Sequence, residues 1–266
     1  MISLSLKHGA SSTTRHELKL IDETEVAQVA QELLGRDFRD DVEDIPRLEA
    51  RKPRKQQEHS VFHLDPYGAA AEQFRLMQRR LCNLRPAGGV VLFTSPGLGD
   101  GKSLNAHNLA WALAEAGHRT FLLDLDLRRP GLGRYLPSHP PKDVTDVLAG
   151  EVSSLSATRR LDDLPLFYLG LDKPASRPVR LLRSKKLNEL LGWARQTFDW
   201  VIIDGPPVLA VADVEELLPK VDLTLMVVRE RGTPRAMLER AADRLGDRLS
   251  FVIYNDTLLY DTYGPK

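Results

Sequence analysis

A doubly wound α/β fold, a mostly parallel sheet with helices on both faces, is predicted by three features of this sequence. Short apolar runs, among them GVVLF (89–93), FLLDLDL (121–127), DWVIID (199–204) and LTLMVV (223–228), recur with helical segments between them. The runs are continuous in Val, Ile and Leu rather than alternating apolar with polar, which is the pattern of strands buried on both faces. The first of them enters a glycine-rich stretch and then a helical one, the strand–loop–helix order of ligand-binding α/β sheets.

The elements follow in order. Residues 1–60 carry one aromatic, Phe38, and end in the charged run EARKPRKQQEH. Such a segment buries little apolar surface by itself and is expected as a charged, partly flexible arm. Within it DETEVAQVAQELLG predicts a short helix with Asp22 as N-cap, Glu25 as capping-box partner and Gly35 as the stop. That helix reads equally as an isolated surface element or as a docking element for a partner. From Pro66 the pattern changes: PYGAAAEQFRLMQRRLCNL sets Phe74, Met77, Leu81 and Leu84 at helical spacing and predicts a helix packed on the domain that follows. Next come a strand at GVVLFTS, a helix after Ser103, a strand at TFLLDLDL, a helix near DVTDVLAG and a strand at LPLFYLGL. The helix SKKLNELLGWARQTF, the strand DWVIID, a helical VADVEELLPK, the strand LTLMVVRE, the helix TPRAMLERAADRL and the strand LSFVIYND complete the series. The expected units are an arm (1–60), a sheet domain with its leading helix (66–256) and a mobile tail (257–266).

Composition excludes several functions. With 37 basic and 37 acidic residues the net charge is +0, so no global field points to nucleic acid or an anionic membrane. No window approaches 18 consecutive apolar residues, and the N-terminus lacks the apolar core of a signal peptide. The one cysteine, Cys82, sits among apolar residues and reads as a buried thiol in a reducing, cytoplasmic compartment.

Three constellations carry chemistry. In TSPGLGDGKS (94–103) the glycines Gly97, Gly99 and Gly101 let backbone N–H groups around Asp100 and Leu104 converge on phosphate oxygens. Lys102 then reaches the terminal phosphates and the Ser103 hydroxyl is a ligand for Mg²⁺. The strict pattern wants glycine where Pro96 stands, and the plain alternative is a glycine-rich strand-to-helix turn. In FLLDLDLRRP (121–130), Asp124 and Asp126 fall at the C-terminal end of a strand, where ligand sites of open sheets lie, with Arg128 and Arg129 as counter-charges. The plain alternative is a helix cap with a solvated ion pair, but paired carboxylates ending a buried strand are costly without a cation. In DWVIIDGPPVLAVADV, four apolar residues run into Asp204, as in the acidic strand of phosphate-loop NTPases that holds Mg²⁺. Asp213 reads as a helix cap or a ligand-shell residue, and Asn255 as a reader of a base edge or a turn residue.

Together AAAEQFRLMQRRL, TSPGLGDGKS, LLDLDLRRP, DVTDVLAGE, PVRLLRSKKLNELL, FDWVIIDGPPVLAVAD and VVRERGTPR, in this order from Ala69 to about Tyr263, resemble the bacterial tyrosine kinases of capsular and exopolysaccharide export. Partitioning-type ATPases of related fold carry an early lysine in the loop, where this chain has Gly97. The resemblance implies a cytoplasmic autokinase that uses ATP and Mg²⁺. Lys102 and Ser103 then belong to the phosphate loop, Asp126, Asp204 and Ser103 to the metal, and Asp124 is the base. It also implies a membrane-embedded chain-length-determinant partner that recruits the chain to the inner face of the plasma membrane. Homo-oligomers would form through Glu72, Arg75 and Arg79, and the tail tyrosines Tyr260 and Tyr263 would be the acceptors.

The match departs in three places. The tail holds only Tyr260 and Tyr263 where the family has a dense tyrosine cluster, the oligomerisation motif E-x-x-R-x-x-R is matched by Glu72 and Arg75 but reads Gln78 at its third position with Arg79 one residue on, and DGPP replaces DTPP. The sparse tail keeps open a nucleotide-binding docking module with little kinase activity.

Overall fold

The computed structural model describes residues 42–43, 45–48, 60–136, 140–161 and 163–256. The helix expected over 22–35 and the tyrosines Tyr260 and Tyr263 lie outside the described residues.

Seven strands form one sheet in the order β3-β4-β2-β5-β1-β6-β7. They are β1 (Gly89–Thr94), β2 (Thr120–Asp124), β3 (Arg159–Leu161), β4 (Leu166–Leu169), β5 (Trp200–Asp204), β6 (Leu223–Arg229) and β7 (Phe251–Asn255). All pairings are parallel except that of β3 with β4, so the predicted doubly wound class holds. Successive residues of one strand serve opposite layers. Val90, Leu92, Phe121, Leu123, Val201 and Ile203 join one apolar cluster, while Val91, Phe93, Leu122, Trp200 and Ile202 join the other. Both faces are therefore covered, which is why the strands read as unbroken apolar runs rather than alternating ones.

The leading helix Ala69–Leu84 and the loop helix Lys102–Glu115 cover one face; the helices Val144–Ala149, Lys185–Thr197 and Arg235–Leu245 cover the other. Local chemistry sets their ends. Asp143 caps its helix in a full capping box with Asp146, Gly150 closes it in the left-handed region, and Ser184 Oγ accepts from Leu187 N. Phe121 stacks on Phe198 at 4.8 Å between centroids, locking β2 to the end of Lys185–Thr197.

The structure corrects three expectations and adds one element. Leu84 is 53% exposed at the end of its helix, so the buried stripe is Phe74, Met77 and Leu81. Cys82 is half-buried rather than buried. VADVEELLPK forms two short 3-10 turns, Asp213–Glu216 and Leu218–Lys220, because Pro219 lacks the N–H that a continuing helix needs. The antiparallel edge strand β3 carries two arginines and gave no apolar signal. Ahead of the sheet domain, Val42 and Ile45 are buried in the core. Among the described residues no helix is long and apolar enough to cross a membrane.

Candidate active site

The chemistry gathers at the C-terminal ends of β1, β2 and β5. Strand register does the gathering: Asp124 of β2 sits opposite Asp204 of β5, and Asp204 lies opposite Phe93 of β1, one residue before the loop begins. Two carboxylates are thus fixed side by side by backbone pairing alone. This is also where strand order reverses, since β2 lies beyond β5 on one side of β1 and β6 lies on the other.

The loop after β1 is held by its own polar groups. The Asp100 carboxylate, buried, accepts from Gly97 N at 2.9 Å and from Thr233 Oγ1 at 2.7 Å, and Ser95 Oγ donates to Gly97 O at 2.6 Å. Asn255 Nδ2 donates to Asp100 O at 3.0 Å, so the end of β7 braces the loop. Gly101 has φ +98°, and a Cβ there would strike the Asn255 amide, so only glycine turns the chain into the helix that starts at Lys102. Gly97 and Asp100 therefore shape the loop from behind, whereas Gly99, Gly101, Lys102, Ser103 and Leu104 face a cavity of about 360 Å³.

Lys102 lies at the centre of the charges. Its Nζ is 2.9 Å from Asp126 Oδ2, 3.2 Å from Asp204 Oδ1 and 3.4 Å from Ser103 Oγ, and the side chain is almost entirely buried. Burial works against the ammonium, but Asp204, Asp126 and Asp124 more than offset it and hold its pKa above the usual lysine range. Burial first, then the charge of Asp204, pushes the Asp124 carboxyl well above the ordinary carboxylate range. Asp204 is raised by burial as well, with Lys102 pulling the other way.

The two aspartates of the β2 end play different structural parts. Asp126 lines the cavity, and its Oδ1 accepts from Arg129 N at 3.0 Å. Asp124 lies behind it, fully buried, accepting from Asp126 N, Gly131 N and Leu132 N, each at 3.1 Å. Asp124 thereby pins the following loop against the phosphate loop, where a Cβ on Gly131 would run into Ser103 Oγ.

Arg128 turns away from the cavity. Its Nε and Nη2 donate to the buried Asp213 carboxylate at 2.8 and 3.1 Å, so Asp213 is the anchor of that arginine rather than a helix cap. Besides Lys102, the cationic side chains lining the cavity among the described residues are Arg129 and Arg134, and Tyr135 lines it as well. Thr233, Gly131, Arg134 and Tyr135 were not identified from the sequence. Only TPR after β6 and the arginines after the Asp pair hinted at them, since the contacts join loops far apart in the chain.

The donor set suits a divalent cation. Three buried carboxylates share one ammonium, and Asp204 Oδ2 is buried without a hydrogen-bond partner. Ser103, Asp126 and Asp204 are the oxygen donors that could hold one, and Mg²⁺ characteristically takes one or two carboxylates and fills its octahedron with phosphate oxygens and water. Among the described residues no group of three or more His, Cys, Asp or Glu that could hold a metal ion occurs.

On the leading helix, Arg75 is already committed within the chain: its Nε and Nη2 donate to Glu115 at 2.6 and 2.7 Å and its Nη1 to Glu72 at 2.6 Å. Arg79 lines the shallow pocket beside that network.

No family model matches the chain. Among characterised proteins it is 28% identical to the tyrosine-protein kinase YwqD of Bacillus subtilis over 229 residues, which is 82% of this chain and 97% of YwqD. It is 32% identical to the putative tyrosine-protein kinase EpsB of Ralstonia solanacearum over 183 residues, covering 68% of this chain but 24% of that longer protein. Among solved structures, the BceF tyrosine kinase domain superposes with a TM-score of 0.66 at 26% identity, over 88% of this chain and 89% of that domain. With the acidic strand ends, the lysine between them and the phosphate loop in register, the proteins to which this chain is similar over most of its length are named bacterial tyrosine-protein kinases.

Proposed function

We propose that the chain is an ATP- and Mg²⁺-dependent protein-tyrosine autokinase acting in capsular or exopolysaccharide polymerisation or export. The observation that carries this reading is Lys102 Nζ, held 2.9 Å from Asp126 and 3.2 Å from Asp204 at the mouth of a loop built to wrap phosphates. The kinase names of YwqD and EpsB support the acceptor class.

In this mechanism the loop N–H groups and Lys102 seat the nucleotide phosphates, with Ser103, Asp126 and Asp204 as metal ligands. The bound Mg²⁺ supplies charge neutralisation at the phosphates. The acceptor phenol oxygen forms a bond to the γ-phosphorus as the bond to the bridging oxygen breaks and ADP leaves. The phenolic proton passes to Asp124, whose raised proton affinity suits it to that step. Because Asp124 is held by Gly131 N and Leu132 N, reaching the phenol requires that loop to release it. Tyr260 and Tyr263 are the proposed acceptors, a neighbouring copy the proposed enzyme, and Glu72, Arg75 and Arg79 the proposed contact face between copies. A membrane-embedded chain-length determinant is the proposed activator, recruiting the chain to the inner face of the plasma membrane.

The test is labelled ATP with Mg²⁺. Lys102→Met is expected to abolish transfer of label to the chain, because the ammonium contributes charge to the phosphates. Equal ATP affinity and labelling in that variant would overturn the phosphate-loop assignment.

A further inference from the structure

We propose that Arg134, Arg129 and Tyr135 form an acceptor subsite that selects a tyrosine followed by a carboxylate. The proposal rests on the kinase reading above and adds to it the sequence context of the acceptor.

Two stretches of chain line the cavity. One is the phosphate loop with the start of its helix, including Lys102 and Ser103; the second is the segment after β2, including Arg129, Gly131, Arg134 and Tyr135. Nucleotide phosphates occupy the first by the chemistry of the loop, so the second is what an incoming acceptor meets. Its two arginines are exposed, and among the described residues neither guanidinium has a hydrogen-bond or ion-pair partner. That sets them apart from Arg75, Arg128, Arg183 and Arg195, each of which is paired. Among the described residues Asp126 is the one acidic residue lining the cavity, and it is ion-paired with Lys102 rather than with either exposed arginine.

Tyr135 gives that second stretch a fixed aromatic face. Its ring stacks on His107 of the loop helix at 5.4 Å and 23°. His107 is itself buried, with neither ring nitrogen hydrogen-bonded, and touches Trp111 beyond it. Swinging Tyr135 away would uncover that imidazole and break the stack, so the ring stays in place beside the phosphates. A second phenol lying along it gains aromatic contact, and the residue after it comes within reach of the guanidinium forks, which match a carboxylate bidentately.

The chain's own C-terminal sequence, LLYDTYGPK, contains one such acceptor: Tyr260 is followed by Asp261, whereas Tyr263 is followed by Gly264. Tyr260 is therefore the expected first site of phosphorylation.

The experiment uses the full chain bearing Tyr260→Phe and Tyr263→Phe, ATP·Mg²⁺, and the synthetic acceptor LLYDTYGPK. The expected result is that Asp261→Lys in the peptide raises KM about tenfold, as does Arg134→Glu in the chain with the unaltered peptide. Combining Arg134→Glu with the Asp261→Lys peptide should restore most of the loss, a rescue that a merely structural role for Arg134 would not give. Mass spectrometry of the unsubstituted chain should show phosphate on Tyr260 before Tyr263. Indifference of KM to either charge change, or no rescue in the swap, overturns the subsite while leaving the kinase reading intact. Absence of any phosphotyrosine in chain or peptide overturns both.

Discussion

His107 shows what one buried ring implies for the whole domain. Fully buried and without a hydrogen-bond partner, its imidazole is pushed down to about 3 by burial, with His63 adding to the effect. A histidine whose folded pKa is depressed stabilises the fold above its unfolded value of about 6.5 and loses that contribution as pH falls towards the folded value. The slope is at most about 1.4 kcal/mol per pH unit for one proton. Urea denaturation of the unsubstituted chain and of His107→Gln between pH 7 and 5 should give curves that converge on acidification; parallel curves would mean that the imidazole takes up its proton while folded. The aspartates of the β2 end divide by role at the same scale. Asp124→Asn is expected to lower the rate of phosphotransfer far more than it weakens ATP binding, and Asp126→Asn to weaken Mg²⁺ dependence most. Kinetics in which the two profiles are exchanged would give Asp126 the proton-accepting role instead.

Among the elements, the short helix Val144–Ala149 depends on the residue that precedes it. Asp143 Oδ1 accepts from Thr145 N at 2.7 Å and from Asp146 N at 3.3 Å, while Asp146 Oδ2 accepts from Asp143 N at 3.0 Å. Asp143→Ala should therefore cost about 1 kcal/mol in chemical denaturation and leave nucleotide affinity unchanged, since the helix lies away from the cavity. The elements also show where sequence was informative. Strands buried on both faces announced themselves as continuous apolar runs, and the loop, the paired aspartates and Asp204 were legible because each follows such a run directly. What escaped is what three-dimensional contact alone creates: the Asp100–Thr233 bond, the pairing of Arg128 with Asp213, and the place of Tyr135 in the cavity lining. Edge strand β3 escaped for another reason, because a three-residue pairing supported by its neighbour needs no apolar pattern of its own.

For the whole molecule the question is what one copy offers another. Arg75 is tied to Glu115 and Glu72 within the chain, so a contact through this face would have to exchange internal ion pairs for external ones. Exposed ion pairs contribute about 0–1 kcal/mol each, and such an exchange is therefore close to neutral. Assembly through that face alone is expected to be weak, and tyrosine phosphorylation by the purified chain should rise with protein concentration and rise further with a membrane-embedded activator. A rate per molecule that is the same at every concentration and indifferent to the activator would indicate transfer within one copy.

The sheet order has a consequence for how the chain is made. β1, which launches the phosphate loop, pairs only with β5 and β6: Val91 lies between Ile202 and Leu223. During synthesis from the N-terminus, GVVLFT leaves the ribosome long before either neighbour exists, an unpaired apolar strand of the kind that aggregates or recruits chaperones. Lys102 likewise has no Asp204 to pair with until β5 is in place. Nucleotide capture is thus a late event in biogenesis, and a nascent chain released before β6 would carry the complete glycine loop yet have no central strand to hold it.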